Sequence, residues 1–145
     1  MQYSFRQCVE SDREWAYALK SEAYREVVER QFGPWNETFQ RGLFAKRWNP
    51  GDSRVIMMGE KAIGLIAVKH REDQVWIDEI QLGAAWRNQG IGTEILRELI
   101  SSARRENKGL GLQVLKQNTK AKSLYEKLGF VVCGESETHH IMKAP

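Results

Sequence analysis

The chain has 145 residues, of which 41% are hydrophobic and 28% charged, and a net charge of +3. That length suits one domain with a substantial core, and the composition is that of an ordinary globular protein rather than a disordered one. No stretch approaches the roughly 18 apolar residues of a membrane span, and so weak a positive charge without a long basic run argues against nucleic acid as a partner.

Met1-Gln2-Tyr3-Ser4-Phe5-Arg6 lacks the basic segment and apolar core of a secretory signal, so a cytoplasmic location is expected. Tyr3 and Phe5 alternate with polar neighbours and predict a short first strand. Ser11 and Glu14 stand at capping-box spacing just before Trp15, which predicts a helix start there. Trp15, Leu19, Ala23 and Val27 give that helix an apolar stripe until Gly33-Pro34 stops it. A second, shorter helix is expected from Thr38 to Lys46, after Trp35-Asn36-Glu37.

Arg54 to Met58 and Ala62 to Val68 read as two strands joined by the tight turn Gly59-Glu60-Lys61. Arg71-Glu72-Asp73-Gln74 turns again into a strand from Val75 to Leu82, which makes an antiparallel meander. From Gly90 the period changes. Ile91, Ile95, Leu96, Leu99, Ile100 and Ala103 share one side of a helix that ends near Lys108-Gly109. Leu110 to Leu115 suits a buried strand, and Ala121, Leu124, Tyr125 and Leu128 follow helical spacing up to a left-handed cap at Gly129. Phe130 to Cys133 and His139 to Met142 are expected to close the chain as a pair of strands. Without repeat or linker, the pattern predicts a single mixed α/β domain over residues 1–145.

Cys8 and Cys133 are far apart, and neither has a second cysteine at metal-ligand spacing. Both are expected to be buried small apolar side chains without a catalytic role, and no metal is expected.

The segment Arg87-Asn88-Gln89-Gly90-Ile91-Gly92 lies between a predicted strand and a predicted helix. The first turn of a helix has unpaired N–H groups and a partial positive charge, and glycines let an anion approach the backbone. Arg87 adds a charged donor and Thr93 a hydroxyl. The segment lacks the Lys-Ser/Thr ending of a P-loop, and a dinucleotide fingerprint would need glycine or alanine where Ile95 stands.

A second cluster follows: Asn118, Ala121, then Leu124-Tyr125-Glu126-Lys127-Leu128-Gly129-Phe130. The Arg-x-x-Gly-x-Gly loop followed by Asn-x-x-Ala-x-x-Leu-Tyr-x-x-Leu-Gly-Phe resembles the GCN5-related N-acetyltransferases (GNAT). The motif-bearing resemblance covers about Val75 to Phe130. It implies a central, mostly antiparallel twisted sheet with about four helices, and transfer of acetyl from acetyl-CoA to a primary amine by direct attack in a ternary complex.

By that resemblance, the backbone amides of Asn88, Gln89, Gly90, Ile91, Gly92 and Thr93, with the Arg87 side chain, hold the cofactor pyrophosphate. The pantetheine arm pairs with the backbone of Ile80, Gln81 and Leu82, and Asn118 touches the arm. Tyr125 takes the place of the phenol beside the thioester sulfur. Chemistry supplies its own reasons for these residue types. An amine must lose a proton before it attacks, and Glu79 is the candidate base. In an extended strand it shares a face with Val75, Ile77 and Gln81, where a carboxylate requires either a task or a cationic partner. The Tyr125 phenol can protonate the departing thiolate, whereas helical spacing by itself would make it a core aromatic.

The same resemblance implies that the helical hairpin carrying Tyr24, Trp35, Asn36, Glu37 and Gln40 lines the acceptor end, where Glu37 can attract a cationic amine. His139 and His140 are adjacent, so on a strand they face opposite ways. A non-catalytic CoA-binding module of the same fold is the competing expectation, and a homodimer is left open.

Overall fold

The computed structural model describes residues 2–145. Its elements in chain order are β1 (Tyr3–Gln7), α1 (Arg13–Phe32), α2 (Glu37–Arg47), β2 (Ser53–Met58), β3 (Lys61–His70), β4 (Gln74–Leu82), α3 (Ile91–Arg105), β5 (Gly109–Leu115), α4 (Thr119–Lys127), β6 (Val131–Glu135) and β7 (His139–Lys143). The seven strands follow the hydrogen-bonding order β1-β2-β3-β4-β5-β7-β6. The mixed α/β class with a mostly antiparallel sheet and four helices is therefore the one expected.

The chain forms two compact units, one of residues up to Ala67 with Glu79–Arg87, the other of Val68–Asp78 with Asn88–Pro145. In the first, β1 pairs antiparallel with β2 from Tyr3↔Met58 to Gln7↔Arg54, and β2 pairs antiparallel with β3 through an irregularity between Ile56 and Met57. Cys8, Ala16, Tyr17, Phe44, Val55 and Leu65 form a buried cluster, with Trp15, Leu19, Trp48, Met57 and Ala62 packed around it. Of the expected α1 stripe, Trp15 and Leu19 pack on this cluster, while the residues α1 buries in it, Ala16 and Tyr17, lie beside the stripe. Gly33, at φ +100°, ends that helix in a backbone conformation that side chains resist. On β3, a Cβ added to Gly64 would sit 2.4 Å from the carbonyl oxygen of Gln81, so only glycine allows that approach.

The start of α1 departs from the capping box expected of Ser11 and Glu14. A short 3₁₀ turn over Glu10–Asp12 precedes the helix, and the residue at its N-cap is Asp12. The Asp12 carboxylate accepts the Val9 N–H at 2.9 Å and both terminal nitrogens of Arg6 at 2.9 Å. Charge-assisted bonds with Arg6 on β1 outcompete the neutral Ser11 hydroxyl for this turn. They hold the Asp12 carboxyl down at about 2, with burial opposing the shift.

In the second unit, β4 pairs parallel with β5 from Gln74↔Gly109 to Ile77↔Leu112, a pairing that requires the crossover through α3. α3 packs on β5 and buries Ile91, Ile95, Leu96, Ile100 and Ala103, the face its spacing foretold. β7 pairs antiparallel with both β5 and β6. Cys8 is buried as expected, but Cys133 is exposed. β6 ends the strand order, so its Val131, Val132 and Cys133 lack a neighbouring strand on one side, and all three stand open to solvent.

Candidate functional site

In the second unit, α3 opens on Gly90, whose φ of +85° puts it in the left-handed region, and Asn88 is left-handed too at φ +61°. A side chain at Gly90 would be strained there by roughly 1–2 kcal/mol. No side chain caps this helix end. The Glu94 N–H reaches the Gly90 carbonyl at 3.0 Å, while the N–H groups of Ile91, Gly92 and Thr93 meet no acceptor among the described residues. Three amides at a positive helix end, beside a residue without Cβ, form a cradle for an oxyanion such as phosphate.

Asn118 and Tyr125 belong to the same unit. Asn118 is the N-cap of α4, and its Oδ1 accepts the Ala121 N–H at 3.3 Å. Tyr125, half-buried on α4, lies against Phe130 with ring centroids 5.7 Å apart. The Tyr125 carbonyl also receives the N–H groups of Leu128 and Phe130, both at 3.0 Å, which fixes the turn that follows.

The first unit holds Glu79, Ile80, Gln81, Leu82 and Arg87. Glu79 has a cationic partner: Lys20 on α1 donates from Nζ to its Oε1 at 2.7 Å, with the two side chains only 20% and 25% exposed. Gln81 is buried, and its amide nitrogen and oxygen both lack a hydrogen-bond partner. Tyr24 lies close enough for Gln81 to ease its phenol pKa, without a bond of normal geometry between them. Burial pushes that pKa up, and the Glu79 carboxylate adds to the rise.

Arg87 is also engaged. Its Nε donates to the Leu82 carbonyl at 2.9 Å and its Nη1 to Glu22 Oε1 at 3.2 Å, while Nη2 donates to Glu22 Oε2. The guanidinium expected to meet a phosphate therefore meets the Glu22 carboxylate in a two-point contact. Sequence reasoning missed Lys20 and Glu22. Their partners lie 59 and 65 residues away, beyond any local pattern.

Among the residues expected at the acceptor end, Glu37 is the hub. It accepts from the Tyr17 hydroxyl at 2.7 Å, from Trp35 Nε1 at 2.9 Å and from Arg41 Nε at 3.2 Å. The Tyr17 bond is the leading cause holding its carboxyl below the usual range, so Glu37 is a satisfied anion. The Asn36 side chain caps α2 by accepting the Phe39 N–H at 2.9 Å. His139 and His140 are half-buried on β7; Thr138 Oγ1 lies 2.7 Å from His139 Nδ1, and His140 Nδ1 lies 3.8 Å from Glu135. No helix among the described residues is long and apolar enough to cross a membrane.

Solved structures share this architecture. The PaiA N-acetyltransferase of Thermoplasma acidophilum, solved in complex with coenzyme A, superposes with a TM-score of 0.78 at 18% identity, covering 99% of each chain. The ribosomal-protein-S18-alanine N-acetyltransferase of Escherichia coli gives 0.69 at 19% identity, over 99% of this chain and 94% of its own. Arabidopsis thaliana Naa50, in complex with the bisubstrate analogue CoA-Ac-MVNAL, gives 0.68 at 16%, over 100% and 99%. At such identities the likeness is one of fold. No curated protein matches the chain in sequence. The sequence model of the Acetyltransferase (GNAT) family matches residues 15–130, most of the chain including both motifs, and the chain belongs to that family.

Proposed function

We propose that the protein is an acetyl-CoA-dependent N-acetyltransferase that acts on a primary amine by direct attack in a ternary complex, as one domain in the cytoplasm. The observation that carries the reading is the uncapped start of α3, where left-handed Gly90 precedes the unpaired N–H groups of Ile91, Gly92 and Thr93. That cradle suits the pyrophosphate of coenzyme A, with Asn88 and Gln89 completing the loop. The backbone of Ile80, Gln81 and Leu82 takes the pantetheine arm, and Asn118 supports it. Arg87 joins the phosphate by exchanging its Glu22 contact for the ligand.

Bound acetyl-CoA supplies an activated acyl group, and the protein's task is to align it and manage protons. Glu79 accepts the proton of the attacking amine, which requires Lys20 to leave its carboxylate. Tyr125 donates to the departing thiolate. A backbone N–H near Leu82 steadies the oxyanion of the tetrahedral intermediate.

The test begins with calorimetric titration of acetyl-CoA and continues with an amine screen that follows thiol release. Micromolar binding and intersecting initial-rate patterns are expected. In that assay Glu79→Gln lowers kcat by about a hundredfold or more, and Tyr125→Phe does so by a similar factor. A protein that binds acetyl-CoA yet acetylates no amine is instead a CoA-binding module.

A further inference from the structure

We propose that Lys20 is an acyl acceptor within its own chain, its ε-amine taking an acetyl group from acetyl-CoA. The inference rests on the acetyltransferase reading above and adds a modification site to it. An acceptor for this reaction is a primary amine whose proton can pass to Glu79, and Lys20 already presents one at 2.7 Å. The other lysine–carboxylate pairs among the described residues are longer and more exposed: Lys69–Asp78 and Lys116–Glu135 at 3.3 Å, and Lys122–Glu126 at 3.7 Å. Lys20 is 20% exposed, its Nζ lies 6.0 Å from the Phe44 ring centroid, and its partner Glu79 directly precedes the Ile80–Leu82 segment proposed for the pantetheine arm. A lysine stem is flexible enough to swing its amine from the carboxylate to a neighbouring carbonyl carbon.

The step balances without a further reactant. The Lys20 ammonium gives a proton to Glu79, and the free amine attacks the acetyl carbonyl. The new C–N bond forms, a second proton leaves the nitrogen, the C–S bond breaks, and coenzyme A departs as thiol after taking up one proton. The amide left on Lys20 carries no charge, so Glu79 loses its counter-ion and is released for an external amine. The first turnover thereby converts the resting pair into a working base.

The experiment incubates the full chain with acetyl-CoA and no added amine, then reads intact mass, peptide maps and released thiol. One acetyl group on Lys20 per chain is expected, with one equivalent of coenzyme A released at a rate independent of protein concentration. Glu79→Gln slows the reaction by about a hundredfold or more, and Lys20→Arg removes the mark. Should either variant fail to fold, the concentration series on the native protein still decides. Native protein that binds acetyl-CoA but stays unmodified at Lys20 overturns the inference, as does labelling spread over exposed lysines or a rate that rises with protein concentration. Acetylation of external amines without Lys20 modification sinks this inference alone. Failure to bind acetyl-CoA removes the acetyltransferase reading as well.

Discussion

Two kinds of helix start coexist in this chain. α2 and α4 are closed by their own side chains, Asn36 Oδ1 on the Phe39 N–H and Asn118 Oδ1 on the Ala121 N–H. α3 opens on a left-handed glycine with no side-chain cap, and its first three N–H groups are unsatisfied among the described residues. A side-chain cap stabilises a helix by about 1 kcal/mol, so its omission at the chain's most amphipathic helix marks an end whose amides await another acceptor. The difference separates helix ends that serve folding from one suited to a ligand.

The largest effect should come from Gly90→Glu, which places a bulky anion in the α3 cradle. Acetyl-CoA affinity should fall by at least about a hundredfold, with calorimetry reading the loss and circular dichroism confirming the fold. Undiminished binding would break the comparison. Asn36→Ala and Asn118→Ala sharpen it: each should cost about 1 kcal/mol in urea denaturation. Only Asn118→Ala should also weaken acetyl-CoA binding, by about threefold to tenfold.

The start of α1 is a third case: Asp12 at its N-cap makes no side-chain cap to the helix, and its carboxylate turns back to the Val9 N–H and to Arg6 on β1. Because the folded Asp12 carboxyl is held at about 2, below its ordinary value near 3.9, its contribution is full above that ordinary value. It is lost as pH falls through 2. Asp12→Asn should therefore lose about 0.5–1 kcal/mol at neutral pH and show a flatter decline in urea midpoint on acidification. The smallest effect concerns the thiols. Iodoacetamide should label Cys133 with no change in melting temperature and spare Cys8, whose thiol is buried and pushed up to about 11 by desolvation.

What the sequence made legible was local. The periodic apolar residues of α1, α3 and α4 declared those helices, and Gly33 and Gly129 declared the stops of α1 and α4, because those signals lie within a few turns of chain. The uncapped loop before α3 was readable for the same reason. The Ser11 capping box misled because its competitor, Arg6, acts from a separate strand on Asp12. Cys133 misled because apolar neighbours look alike on a central strand and on β6 at the end of the order. A cationic partner for Glu79 was foreseen as one alternative, but neither Lys20 as that partner nor the Glu22–Arg87 pair was legible, since nothing in a one-dimensional pattern brings α1 to the end of β4.

Gly64 has a bearing on how variation in this protein is interpreted. Since any Cβ there would press on the Gln81 carbonyl at 2.4 Å, every substitution must displace the strand segment proposed for the pantetheine arm. In a saturation screen scored by activity, position 64 would therefore look as intolerant as a residue that touches substrate. A map that equates intolerance with chemistry would enlarge the site by one residue whose whole contribution is to leave room.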